Sequence, residues 1–184
     1  MARVADPDTD FEVTPHAERD APTVTSHGQR LARIDGVELV RLMPHHDHRG
    51  ALTEVIIDGA AFWHEPVVHA YQFTIRPGRI KGWGMHKKQA DRYLGVRGQV
   101  RVVLYDGRVD SPTHGVYDQY FLGEDLPSLL RIPAGVWHAD QNVGTADAAV
   151  LNFPTVAYDP AEPDKYRVDP HSGDIPFDWD TLDG

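Results

Sequence analysis

The chain contains no cysteine in its 184 residues. Disulfides, thiolate-bound zinc and a cysteine nucleophile are therefore excluded, and a reducing compartment fits. Long apolar runs are also missing: none approaches the roughly 20 residues that cross a bilayer. The opening Met1-Ala2-Arg3-Val4-Ala5-Asp6 lacks the apolar stretch of a secretory signal, so the expected location is the cytoplasm. Positive charge is scarce, with 18 Lys and Arg against 28 Asp and Glu, for a net charge of −10. This argues against a nonspecific nucleic-acid binder that grips phosphates. A local cluster of Arg or Lys can still hold an anionic small molecule.

Glycine (16) and proline (14) are frequent, which favours short elements joined by turns over long helices. Residues 1–33 are polar and without period, and are expected to be an arm that is flexible or ordered by a partner subunit. Residues 34–184 are expected to form one domain. Strand patterns run over Gly36–Leu42, Ala51–Ile56, Val67–Ile75, Tyr93–Gly98, Gln99–Tyr105, Tyr117–Leu122, Ser128–Ile132 and Ala148–Phe153. Strands that recur this closely, with Gly or Pro between them, are the pattern of a β-sandwich or barrel. Only Pro160–Tyr166 offers a short helix.

The densest signal is Pro133-Ala134-Gly135-Val136-Trp137-His138-Ala139-Asp140-Gln141-Asn142. Pro133 and Gly135 make a tight turn after an apolar strand and hand the chain to His138, which can point between the sheets. Upstream stands Gly84-Met85-His86, then Asp91 and Gly98. Two histidines and a carboxylate can hold a divalent transition metal with open positions, or can carry acid–base chemistry near neutral pH.

The P-x-G-x-x-H-x-x-x-N run resembles the second motif of the cupin superfamily, which implies an all-β jelly-roll barrel. Laid on the metal-binding cupin pattern, His86, Asp91 and His138 take three of four ligand positions, and Gly84 occupies the fourth. From Gly36 to Trp179 the chain is more specifically similar to the dTDP-4-dehydrorhamnose 3,5-epimerase branch. The likeness is carried by Asp47-His48-Arg49-Gly50, Gly84-Met85-His86, Val96-Arg97-Gly98-Gln99-Val100, Ser111-Pro112-Thr113-His114-Gly115, Ile132–His138, Tyr158-Asp159-Pro160, Asp169-Pro170 and Ile175–Trp179.

That resemblance implies a homodimer, no metal and a sugar-nucleotide ligand. It implies His86 as the base beside a 4-keto group, Asp169 as the carboxylate that orients it, and His138 beside the ketone oxygen. Arg49, Lys81 and Tyr158 match or lie nearest to the residues that hold the nucleotide. Gln72 sits mid-strand and is expected to face the same cavity. Two positions depart from the family. Its proton-donating tyrosine falls on Asn152, and an amide is no useful acid toward a carbanion. Its enolate-stabilising lysine falls on Asp91, where a carboxylate repels an anion. Three expectations follow: an isomerase working next to the ketone of a dTDP-4-keto-6-deoxyhexose, a metal-dependent cupin using His86, Asp91 and His138, or a pocket that binds the nucleotide without turnover.

Overall fold

The run Gln99–Asp106 explains how the sheets form. Its apolar residues are nearly continuous, because both faces of this strand are covered: Val100, Val102 and Leu104 point into one cluster, Val103 into another. A computed structural model describes residues 31–180, together with 4–5, 12–13 and 22–24. The chain divides into two units, Met1–Leu31 and Ala32–Gly184. In the first, β1 (Val4–Ala5) pairs antiparallel with β2 (Glu12–Val13). Most of the expected N-terminal arm, and residues 181–184, lie outside the described residues.

The second unit holds β3 (Glu38–Arg41), β4 (His45–Asp47), β5 (Gly50–Leu52), β6 (Tyr71–Ile75), β7 (Ile80–Met85), β8 (Asp91–Arg97) and β9 (Gln99–Asp106). It continues with β10 (Tyr117–Gly123), β11 (Ser128–Ile132), β12 (Val136–Asn142), β13 (Ala148–Asn152) and β14 (Tyr166–Arg167). One five-stranded sheet runs β3-β11-β8-β13-β6 and the other β10-β9-β12-β7-β14, with every pairing antiparallel. β4 and β5 form a separate hairpin. This is the jelly roll. Among the described residues no helix is long and apolar enough to cross a membrane.

The inner faces bury Ile75, Tyr93, Val102, Leu104, Leu130, Ile132 and Val150. The C-terminal segment covers the outside of the second sheet, laying Ile175, Phe177 and Trp179 against Trp83, Val103 and Ala139. The single turn Ala61–Trp63 covers the outside of the first sheet against Leu94, Leu129 and Phe153. Burying a residue the size of Trp83 contributes about 4 kcal/mol at ~25 cal/mol per Å².

Besides β4, three strands of the second unit go beyond the sequence patterns. β7 is interrupted by Gly82 and Gly84, β12 carries polar residues at inward positions, and β14 is two residues long. The helix expected over Pro160–Tyr166 is not formed. That stretch bends and then enters β14, because Tyr166 and Arg167 complete the edge of β7. The strand expected over Ala51–Ile56 shortens to the Gly50–Leu52 arm of the hairpin.

Candidate active site

β7 and β12 are neighbours, with His138 in register with Gly84. His86 follows two residues past Gly84, at the end of β7. The Pro133–Gly135 turn forms as expected: Gly135 has φ 83°, a conformation that favours glycine, and its N–H donates to the carbonyl of His86 at 2.7 Å. The two histidine-bearing segments are thereby tied together. Asp91 opens β8 on the facing sheet. Between them lies a cavity of about 790 Å³ lined by His86, His138, Tyr71, Tyr93, Lys81, Asp140, Tyr158 and Lys165, among others.

The two imidazoles stack with centroids 5.7 Å apart and planes 18° apart. Both aim Nε2 at one oxygen: Asp91 Oδ2 lies 3.4 Å from His86 Nε2 and 3.6 Å from His138 Nε2. None of these three atoms has a hydrogen-bond partner among the described residues, and all three side chains are buried. His86 Nδ1 faces the backbone carbonyl of Asp164, so Nδ1 carries the hydrogen and Nε2 keeps its lone pair when the ring is neutral. Burial pushes His138 down to about 4 against the opposing pull of Asp91, so its ring is neutral at physiological pH. The His86, Asp91 and His138 donor atoms lie within 4.8 Å of one another. Both edges from Asp91 match the ~3.4 Å between donors of a tetrahedral ion with ~2.1 Å bonds.

The other Asp91 oxygen, Oδ1, accepts from Asn152 Nδ2 at 2.8 Å and from Gln89 Nε2 at 3.0 Å. Asn152 Nδ2 also donates to the Tyr71 hydroxyl at 2.9 Å, and Asn152 Oδ1 accepts from the Arg92 N–H at 3.0 Å. Burial, helped by the Asp91 charge, pushes Tyr71 up to about 12. Asp140 is two residues from His138 on β12, and burial pushes its carboxyl up to about 8.

Gly84 leaves a slot here. A Cβ at that position would stand 3.1 Å from both His138 Nε2 and Lys165 Nζ. The ammonium of Lys165 therefore borders the histidine pair. Burial lowers its pKa, while Asp91 and Asp140 hold the charge. Lys165 thus brings a positive charge from the C-terminal segment to the edge of this cavity.

A family model described as dTDP-4-dehydrorhamnose 3,5-epimerase matches residues 32–183. The chain belongs to the dTDP-4-dehydrorhamnose 3,5-epimerase family. It is 38% identical over 156 residues to the spore coat polysaccharide biosynthesis protein SpsL of Bacillus subtilis, covering 80% of this chain and 97% of that protein. Its fold is similar to the dTDP sugar isomerase of Desulfovibrio desulfuricans, with a TM-score of 0.76 and 28% identity over 83% of this chain and 96% of the other. It is also similar to a double mutant of ChmJ, a 3′-monoepimerase from Streptomyces bikiniensis in complex with dTDP. There the TM-score is 0.72 and the identity 25%, over 81% and 77% of the two chains.

Against the family's pattern, the structure rearranges four expected site residues. Asp169 does not orient His86: it lies in an exposed turn, where its Oδ1 accepts from the His171 N–H at 2.9 Å. The group on His86 Nδ1 is the Asp164 carbonyl instead. Arg49 sits on the exposed β4–β5 hairpin paired with Asp47 at 2.5 Å, and does not line this chain's cavity. Gln72 faces away, because Tyr71 and Phe73 take the cavity face of β6 and side chains alternate along a strand. Asn152 is fully buried behind the wall with both amide hydrogens committed, so it positions other groups rather than meeting a ligand. Lys81, Tyr158, His86 and His138 do line the cavity.

In this member of the epimerase family, sequence reading missed Asp164, Lys165, Tyr71 and Asp140. For Asp140 a signal was present: it is two residues from His138 on one strand, which places both on one face. Asp164 and Lys165 gave none, because they stand in an irregular stretch before a two-residue strand, with no period to read. Asp164 holds the loop after His86, its carboxylate accepting from the N–H groups of Lys87 at 2.9 Å, Lys88 at 2.7 Å and Gln89 at 3.3 Å.

Proposed function

We propose that this chain epimerises a dTDP-4-keto-6-deoxyhexose by removing a proton from a carbon beside the ketone, with His86 as the base. The observation that carries this reading is the Asp164 carbonyl on His86 Nδ1, which leaves Nε2 as a lone pair at the cavity wall. The enolate formed by proton removal needs positive or donor groups around its oxygen. Lys165, whose charge Asp91 and Asp140 favour, and neutral His138 supply them. They offset Asp91, whose Oδ1 is already engaged by Asn152 and Gln89. Lys81 and Tyr158 are the groups that meet the nucleotide. Family membership and the likeness to a polysaccharide-biosynthesis protein support a place in glycan assembly. The reading includes a cytoplasmic location and a homodimer, and the homodimer is supported by the apolar side chains left exposed between β3 and β6, namely Met43, Leu52, Ile56, Ile57 and Val68.

The test is solvent-deuterium exchange into dTDP-4-keto-6-deoxyglucose, read separately at the two carbons flanking the ketone. Exchange by the natural protein and its loss in His86→Asn support the reading. Exchange that survives His86→Asn moves the base elsewhere. Binding of dTDP by calorimetry with no exchange at either carbon leaves a nucleotide-binding protein without turnover.

The convergence of three unpartnered donor atoms favours a second reading, in which His86, Asp91 and His138 hold one divalent transition metal. Bound there, an ion would polarise a ketone oxygen. Elemental analysis of the purified protein decides it. Stoichiometric metal that disappears in Asp91→Ala supports the metal, and trace content unaffected by Asp91→Ala rejects it.

A further inference from the structure

Inversion at carbon requires the proton to leave one face of the sugar ring and return to the other. The cavity is built between two sheets. His86 directly follows β7 of one sheet, and Tyr71 lies on β6 of the facing sheet, both lining the same space. An acid on the wall opposite the base is what inversion demands.

The hydrogen-bond chain behind Tyr71 fixes where its own hydrogen can go. The backbone N–H of Arg92 donates to Asn152 Oδ1, which sets the orientation of that amide. Asn152 Nδ2 then has two hydrogens to place, and they go to Asp91 Oδ1 and to the Tyr71 hydroxyl. Tyr71 therefore accepts from Asn152. No other hydrogen bond of its hydroxyl is present among the described residues, so the phenolic hydrogen is left for a ligand in the cavity. Asn152 is buried, and the phenol is held at its tip from behind.

We propose that Tyr71 is the catalytic acid, delivering a proton to the face of the enolate opposite His86. The inference rests on the proton-abstraction reading above. His86 Nε2 takes the proton from the α-carbon, and the C–H electron pair moves into the carbon–carbon double bond of the enolate. On the other face Tyr71 gives its O–H proton to that carbon, the enolate pair forms the new C–H bond, and the carbonyl returns. The resulting phenolate recovers a proton from water, His86 releases its own to water, and nothing is consumed. Burial and the Asp91 charge keep the phenol protonated through the neutral range, so it enters each turnover loaded. The role that an amide at position 152 cannot perform is carried by the tyrosine it holds.

The experiment compares the natural protein with Tyr71→Phe on dTDP-4-keto-6-deoxyglucose in deuterium oxide. It measures both deuterium in recovered substrate and the yield of inverted product, with dTDP binding as the check on folding. The expected result is exchange within ~3-fold of the natural protein and inversion reduced ~100-fold or more, the usual range for loss of a general acid. Inversion by Tyr71→Phe at the natural rate overturns the proposal. So does parallel loss of exchange and inversion, which makes Tyr71 a binding or folding residue. In the natural protein alone, inverted product that retains its original hydrogen overturns it too, since one group then removes and returns the same proton. Absence of exchange in the natural protein defeats the proton-abstraction reading itself, and this inference falls with it. Exchange in the natural protein together with normal inversion by Tyr71→Phe defeats this inference alone.

Discussion

Asp164 grips His86 and its loop with two different groups. Its backbone carbonyl accepts from the imidazole Nδ1–H, and its carboxylate accepts from the N–H groups of Lys87, Lys88 and Gln89. Burial pushes its carboxyl pKa up, but those three backbone donors, together with the nearby His86, outweigh burial and hold the group below the usual carboxylate range. Orientation of His86 and shape of the loop therefore depend on one residue. Asp164→Ala keeps the carbonyl and removes the carboxylate, so the loop loses its clamp. Hydrogen bonds to a charged acceptor are worth ~1.5–3 kcal/mol. A kcat lowered ~10- to 100-fold with dTDP affinity nearly unchanged is expected from steady-state assays and calorimetry.

Gly84 tests the ammonium beside the histidines. A methyl group there would crowd both His138 Nε2 and Lys165 Nζ at 3.1 Å. The lysine is the flexible partner and is expected to withdraw, taking its charge away from the histidine pair. Gly84→Ala should lower kcat ~10-fold or more, as removal of one electrostatic stabiliser does. Its thermal midpoint should stay within a few degrees. Lys165→Met should reproduce the loss without the crowding, and the double variant should be no worse than either alone.

The jelly roll was legible because its strands obey period two and its turns carry Gly and Pro. Ser128–Ile132 has the same bounds in sequence pattern and structure, and Gln99–Tyr105 differs by one residue. The two histidines were legible through their motifs, Gly84-Met85-His86 and the Pro133–His138 turn, rather than through strand period. β7 escaped notice because Gly82 and Gly84 interrupt its apolar pattern, although those glycines let β12 and Lys165 approach. Gln72 lies on the other face than expected because a strand's parity is set by which neighbours turn inward, and Tyr71 and Phe73 both face the cavity. Asp169 and Asp164 are five residues apart in an irregular segment. Which of them meets His86 is decided by the pairing of Tyr166 with Met85, a tertiary contact with no local signature.

Arg92 is a buried cation whose partners are neutral. Its three guanidinium nitrogens donate to the carbonyls of Phe153 at 2.7 Å, Glu65 at 2.8 Å and Pro66 at 3.0 Å, and its plane lies 4.8 Å from the ring of Trp63. It thus locks the segment before β6 onto the outside of the first sheet. Arg92→Leu leaves three carbonyls without donors and should cost about 3–5 kcal/mol, read as a lower urea midpoint. Arg92→Lys keeps the charge but lacks the planar fork, and is expected to recover less than half of the loss.

Asp106 gives the fold an acid limit. Its buried carboxylate accepts from Arg108 Nε and Nη2, each at 2.9 Å, from Ser111 Oγ at 2.5 Å and from Thr113 Oγ1 at 2.7 Å. Burial raises its pKa, but these bonds outweigh burial and hold the group well below the usual carboxylate range. The unfolded chain, with an ordinary Asp pKa of about 3.9, then binds this proton more readily than the folded one. The stabilisation is complete above that value and is lost as the pH falls below it toward the folded pKa. Asp106→Asn should destabilise the protein by about 2–3 kcal/mol at pH 7, since it removes the charged acceptor from the half-buried Arg108. The gap to the natural protein should narrow steadily between pH 4 and the acid limit of the measurement, as urea midpoints taken at successive pH values would record. A gap that stays constant over that range would assign the stabilisation to packing of the 106–113 loop rather than to the charge on Asp106.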